Sequence, residues 1–270
     1  MTTPKTPASD PAPGSGAGSD LNHPRLLAQA QTWIFDLDNT LYPARCNLFD
    51  QVDQRMGRFI AEALSVDHDE ARVIQKRYFR DYGTTLSGLM ARHDVDPHDF
   101  LAYVHDIDYS PIEPDLRLAD ALDRLPGRKV IFTNGTVAHA QSVIDRLGVE
   151  RHFAEIFDIH AADYTPKPKP APYRTMVERF AVAPETAVMV EDIAQNLETP
   201  HAMGMRTVWV RTEHAWSKPG VGVADADAAD EGAPAPYIHH VTEDLTTFLH
   251  EVLASDDADP SDPTDAPARP

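Results

Sequence analysis

Four short apolar runs punctuate the chain, at Thr32 to Leu37, Lys129 to Thr133, Thr186 to Val190 and Arg206 to Val210. None alternates polar with apolar residues, which is the pattern of strands buried on both faces, as in a parallel sheet covered by helices. Between the runs, apolar positions recur with helical spacing. The clearest case is Val137, Ala140, Val143, Ile144 and Leu147, closed by Gly148 as a C-terminal cap. Strands alternating with helices predict an α/β fold, doubly wound around a mainly parallel sheet. Tyr237 to Val241 reads as a short edge strand and Thr242 to Leu253 as a final helix.

About ninety residues lie between the first and second runs, far more than a crossover needs. Leu48 to Asp106 within them shows helical periodicity without strands: Leu48, Val52, Met56, Phe59, Ile60; Ala71, Ile74, Tyr78; Leu86, Leu89, Met90; Phe100, Leu101, Val104. The division expected is a core of residues 23–42 and 116–253, with an all-helical cap of residues 43–115 inserted into it. Lys218 to Pro236, rich in Gly, Ala, Asp and Pro, reads as a flexible surface insertion within the core. Residues 1–22 and 254–270 have almost nothing to bury and read as disordered tails.

Composition narrows the function. In 270 residues, 42% hydrophobic content suffices for a proper core. The net charge is −19, and more than half of it falls in residues 224–270, where Arg269 is the only cation. Such a chain is ill suited to a nucleic-acid polymer, which requires clustered Lys and Arg; the acidity reads as a solubility feature. Cys46 is the sole cysteine, so neither a disulfide framework nor a cysteine zinc site is available. No apolar run approaches the roughly 18 to 20 residues of a membrane span, and the N-terminus lacks a secretory pattern. A cytoplasmic protein without a membrane partner is expected, its oligomeric state left open. The thirteen histidines show no ligand spacing, and His239 and His240 read as packing or surface residues.

The chemistry concentrates at the ends of the runs, where open α/β sheets place ligands. The first ends in Asp36 and Asp38, two apart and therefore close enough to repel unless a cation or proton lies between them. The second ends in Thr133-Asn134-Gly135 and the third in Glu191-Asp192, and Lys167 lies between them in the proline-stiffened TPKPKPAPY. Singly, these are an ordinary turn, cap or surface lysine. Together they are the parts of a phosphoryl-transfer site. One carboxylate attacks phosphorus; a second, kept protonated by its neighbours, serves the leaving oxygen and then water. Mg²⁺ offsets the crowded acids, and a lysine and a hydroxyl hold the phosphoryl oxygens.

The order DLDNT, TNG, KPxPxxY, ED resembles the four motifs of the haloacid dehalogenase superfamily over roughly residues 30 to 215. The resemblance implies Asp36 as nucleophile and metal ligand, and Asp38 as general acid/base that also meets the metal through its backbone carbonyl. It implies Thr133 and Asn134 at the phosphate, Lys167 as the phosphate-binding lysine with Lys169 as its rival, and Asp192 as a further metal ligand. It further implies Glu191 as a partner of that metal site, either touching the ion or holding a ligand from behind. Asn196 stands where many relatives carry another acid and would reach the metal through water. LYPARCNLFDQVDQRM, YGTTLSGLM and DPHDFLAYVHDID are further similar to the pyrimidine 5'-nucleotidase branch, which implies Arg45, Tyr82 and Thr84 as specificity contacts. The expected activity is a Mg²⁺-dependent phosphomonoesterase acting on a small phosphorylated metabolite, first a pyrimidine nucleoside 5'-monophosphate such as UMP or CMP. The alternatives are a sugar-phosphate phosphatase, a 2-haloacid dehalogenase on the same scaffold, or a weakly catalytic regulatory protein using its acidic tails.

Overall fold

The first apolar run becomes β1 (Thr32–Phe35), with all four residues buried. The structure, a computed structural model, describes residues 27–212 and 234–257. After β1 come four helices, α1 (Leu48–Leu64), α2 (His68–Tyr82), α3 (Thr85–His93) and α4 (Pro97–Val104). The chain continues through α5 (Leu116–Arg124), β2 (Arg128–Phe132), α6 (Val137–Leu147), β3 (Phe153–Phe157), α7 (Pro170–Arg179), β4 (Ala187–Glu191), α8 (Glu198–Ala202), β5 (Arg206–Val210), β6 (His240–Thr242) and α9 (Leu245–Asp257).

The six strands form one sheet in the order β3-β2-β1-β4-β5-β6, and every pairing is parallel. The expected doubly wound parallel sheet is the observed one. The chain winds outward from β1 through β2 to β3, then crosses back to β4 and continues the other way. This reversal opens a crevice at the carboxyl ends of β1 and β4. Alternate residues of β1 serve opposite faces: Trp33 and Phe35 join a core with Leu122, Ile144 and Leu249, whereas Ile34 joins one with Phe132, Phe157, Tyr173 and Met176. Each such buried side chain contributes roughly 1.5–3 kcal/mol.

Helices α1 to α4 pack around a third core that includes Val52, Ile60, Tyr78, Leu89 and Phe100, to which the sheet domain contributes Ile159. Local signals set the ends of these helices. Asp67, Thr84 and Asp96 accept hydrogen bonds from the backbone N–H groups of Glu70, Ser87 and His98, and Pro97 opens α4. Arg55 on α1 ties the two ends of the layer together: it bonds the Tyr103 carbonyl at 2.6 Å and the Asp106 carboxylate at 2.9 Å.

Three details differ from the sequence expectations. β3 was not anticipated: it is an edge strand, and half-buried Glu155 breaks its apolar run and pairs with Arg128 at 3.2 Å. Thr242 belongs to β6, and α9 starts at Leu245, where the Asp244 carboxylate accepts from Thr247 N at 2.7 Å. α9 runs on to Asp257, into the segment expected to be a tail. The remaining tail residues and most of the 218–236 insertion lie outside the described residues. No helix among the described residues is long and apolar enough to cross a membrane.

Candidate active site

The carboxyl ends of β1, β2 and β4 bring Asp36, Asp38, Thr133, Asn134, Glu191 and Asp192 to one cavity, and the loop before α7 delivers Lys167 to it. Lys167 Nζ stands 2.6 Å from Asp36 Oδ1, 2.8 Å from Glu191 Oε1 and 2.9 Å from the Phe132 carbonyl oxygen. It is 3% exposed, whereas Lys169 is exposed at the start of α7, so only one of the two rival lysines enters the site. The backbone N–H of Lys167 donates to Asn134 Oδ1 at 2.9 Å, which fixes the lysine loop to the end of β2. Behind it, Tyr173 is fully buried against Phe132 and donates to the Asn196 carbonyl at 2.7 Å.

Asp36 is constrained at both oxygens, with Thr40 donating to Oδ2 at 3.0 Å. Burial raises its pKa; Lys167 opposes this, Glu191 and Asp38 add to it, and the net value is about 7. Asp192 is also pushed well up, by burial first and then by Glu191 and Asp36. Asp192 Oδ2 is buried without a hydrogen-bond partner. Asp36, Glu191 and Asp192 each offer an oxygen, all within 4.8 Å of one another. A single lysine facing three buried acids, with one oxygen orphaned, is a donor set that fits a hard cation such as Mg²⁺. Glu191 also accepts from Ile193 N at 2.7 Å and Asn196 Nδ2 at 2.6 Å, so Asn196 acts on the cluster through Glu191.

Asp38 departs from the sequence expectation. Burial pushes its carboxyl up, but the His139 ring and the Tyr42 hydroxyl outweigh burial and hold it at about 2. Its neighbours therefore favour the ionised form, not the protonated one, because both present hydrogen-bond donors. His139 is not singled out by the sequence, where the thirteen histidines show no ligand spacing. The available signal was its position: one residue before Ala140, on the buried face of α6, just after TNG. Gly135 makes room for the His139 ring beside Asp38, since a Cβ there would stand 3.1 Å from His139 Cδ2 and 3.2 Å from Thr133 Oγ1.

The cavity, of about 210 Å³, continues between sheet and helical layer. It is walled by Phe49, Val52, Met56, Phe79 and Phe100, with Lys76 and Gln75 as polar points. Thr84 lines it, although its hydroxyl also caps α3. Arg45 and Tyr82 do not. Arg45 is exposed on the turn before α1, and the Tyr82 ring is spent edge-on against Tyr78 at 5.7 Å.

Residues 31–204 match the family model for haloacid dehalogenase-like hydrolases, and residues 164–247 match a second model described as HAD-hydrolase-like. The chain is 27% identical over 213 residues to phosphate metabolism protein 8 of Saccharomyces cerevisiae, an alignment covering 71% of this chain and 66% of that protein. The chain therefore spans just under two thirds of that relative's length. Among solved structures, an L-2-haloacid dehalogenase superposes with a TM-score of 0.50 at 15% identity, covering 83% of this chain and 99% of that one. A HAD family hydrolase from Deinococcus radiodurans R1, with bound phosphate and sodium, gives 0.46 at 18% identity, covering 85% and 97%. The sheet order, the four motifs and a family model that matches well over half the chain agree: this protein belongs to the haloacid dehalogenase-like hydrolases.

Proposed function

We propose that this hydrolase is a Mg²⁺-dependent phosphomonoesterase that acts through an aspartyl-phosphate on Asp36, with a pyrimidine nucleoside 5'-monophosphate as the first-choice substrate. The observation that carries the reading is the three-acid, one-lysine cluster with the orphaned Asp192 oxygen. Carbon-centred dehalogenation needs neither a second acid nor a metal, so Asp38 and Asp192 would have no task in it.

Asp36 attacks phosphorus, the bond to the leaving oxygen breaks, and that oxygen takes a proton from Asp38. Asp38 then removes a proton from the water that attacks the aspartyl-phosphate, releasing inorganic phosphate and restoring Asp36. A substrate phosphate beside Asp38 adds negative charge and drives its carboxyl back toward protonation, so the acid form belongs to the substrate complex. Lys167 and Thr133, with the N–H groups after β2, hold the phosphoryl oxygens. Asp36, Asp192 and the Asp38 backbone carbonyl would hold Mg²⁺, which supplies charge neutralisation for the acids and phosphate when bound.

The apolar, aromatic wall of the cap side suits a planar leaving group, with Thr84 and Lys76 available to its polar edge. The small cavity favours a metabolite over a polymer. The deciding measurement is phosphate release from UMP, CMP, AMP, sugar phosphates and p-nitrophenyl phosphate, with and without Mg²⁺. Equal turnover across the panel would sink the pyrimidine preference, and halide release from 2-haloacids without Mg²⁺ would sink the phosphatase reading.

A further inference from the structure

Asp38 is held by one oxygen only. The Tyr42 hydroxyl donates to Oδ1 at 2.7 Å, and His139 Nε2 stands 2.8 Å from the same atom. Among the described residues, no hydrogen bond reaches Oδ2, and a Cβ at Gly135 would lie 3.8 Å from it. His139 is itself fixed on three sides. Its Nδ1 meets the Tyr109 hydroxyl at 2.9 Å, its ring stacks on His105 at 4.4 Å and 11°, and Gly135 leaves space for its Cδ2 edge. At 1% exposure it touches no solvent. The Tyr109 hydroxyl also donates to the His105 carbonyl at 3.1 Å, so the ring hydrogen is placed from the other side: an ionised carboxylate only accepts, and at 2.8 Å from Asp38 Oδ1 it is Nε2 that donates.

We propose that His139, together with Tyr42, is a positioning residue for Asp38, pinning Oδ1 so that Oδ2 is the oxygen that exchanges the proton at the leaving group. The proposal rests on the reading of Asp38 as the acid. An oxygen that already faces two donors has no direction left in which to carry a hydrogen, so a proton taken up by Asp38 resides on Oδ2. When the bond to phosphorus breaks, its electron pair stays on the leaving oxygen and the Oδ2 proton moves to it, leaving Asp38 ionised with Oδ1 still held. His105 closes cap helix α4, so the ring that orients the acid leans on the cap. An unpinned carboxyl could turn the proton away from the leaving group, a misorientation that general acid catalysis tolerates poorly.

The test separates positioning from mere packing by using leaving groups that do and do not need a proton. Single-turnover release is measured for p-nitrophenyl phosphate, whose phenolate departs unassisted, and for UMP or the best-hydrolysed alkyl phosphate of the panel. Tyr42→Phe and His139→Ala are expected to lose about 10- to 100-fold more on the alkyl phosphate than on the aryl one, with KM little changed. His139→Gln, which keeps an N–H, recovers part of the loss. An equal factor on both substrates, or a rise in KM alone, overturns the proposal. If circular dichroism shows His139→Ala unfolded, Tyr42→Phe, which removes a single oxygen, decides. Asp38→Ala is run beside them. If it lacks the leaving-group dependence, the acid assignment itself fails; if it shows the dependence and the other variants do not, only the positioning role fails.

Discussion

Lys167 and Asp36 meet at 2.6 Å inside the protein, with the lysine side chain 1% exposed and the carboxylate 9%. The same ammonium reaches Glu191 at 2.8 Å, so one buried cation serves two buried anions. Burial lowers the lysine's affinity for its proton, but Asp36 and Glu191 reverse this and hold its pKa well above the ordinary value. Lys167 is thus held in its charged form around neutral pH.

Removing that charge should cost stability as well as activity. Lys167→Met leaves Asp36 and Glu191 buried and uncompensated, and urea unfolding at pH 7 is expected to show a loss of about 3–5 kcal/mol. An unchanged midpoint would mean that the two acids are already neutral in the native state.

Asp36→Asn keeps the volume and one hydrogen-bond acceptor but no longer attacks phosphorus. Turnover should fall by about 10³-fold or more while the circular dichroism spectrum stays that of the parent. Substantial remaining activity would assign the nucleophile elsewhere.

Mg²⁺ should raise the melting temperature of the intact protein, because it binds the native cluster and not the unfolded chain; at a hundredfold excess over Kd the gain is about 2.7 kcal/mol. Asp192→Asn removes one of the three oxygens within 4.8 Å of one another and should abolish most of that gain. A Mg²⁺ shift that survives in the variant would place the ion away from Asp192.

Gly135→Ala puts a methyl 3.1 Å from His139 Cδ2 and 3.2 Å from Thr133 Oγ1. Overpacking of this kind costs about 1–3 kcal/mol. The activity loss should exceed what the stability loss explains, since both neighbours belong to the site. Calorimetry and phosphate release on the same preparation check this.

Acid should destabilise the protein in part through His240. Burial first, then His239 and Arg206, lower its pKa from 6.5 to about 4. Between those values the unfolded chain binds the proton and the native state does not, so stability is full above pH 6.5 and is lost as pH falls toward 4. His240→Asn should flatten the urea midpoint across that window, and an unchanged slope would count against the buried neutral form.

Much of the fold could be read along the chain because it depends on local periodicity. Strands buried on both faces must be continuously apolar, and this exposed β1, β2, β4 and β5. β3 escaped because an edge strand tolerates Glu155, and the start of α9 was misplaced because Thr242 still belongs to the ladder. In the site, Asp36, Asp38, Thr133, Lys167 and Asp192 were legible as motif positions. Arg45 and Tyr82 were implied only by the resemblance of the cap segments, and neither is among the residues that line the cavity.

The sequence by itself determined the doubly wound class, the run of helices after β1 and the polar residues at the strand ends, since each depends on residue type and short-range spacing. The tertiary structure alone decided the partners. That Lys167 and not Lys169 reaches Asp36, that Asp192 keeps an orphaned oxygen, and that His139 lies 2.8 Å from Asp38 across 101 positions all follow from how strands and helices pack. Hydrogen bonds and charges act over a few ångströms of space, and distance along the chain says little about which groups fall within that reach.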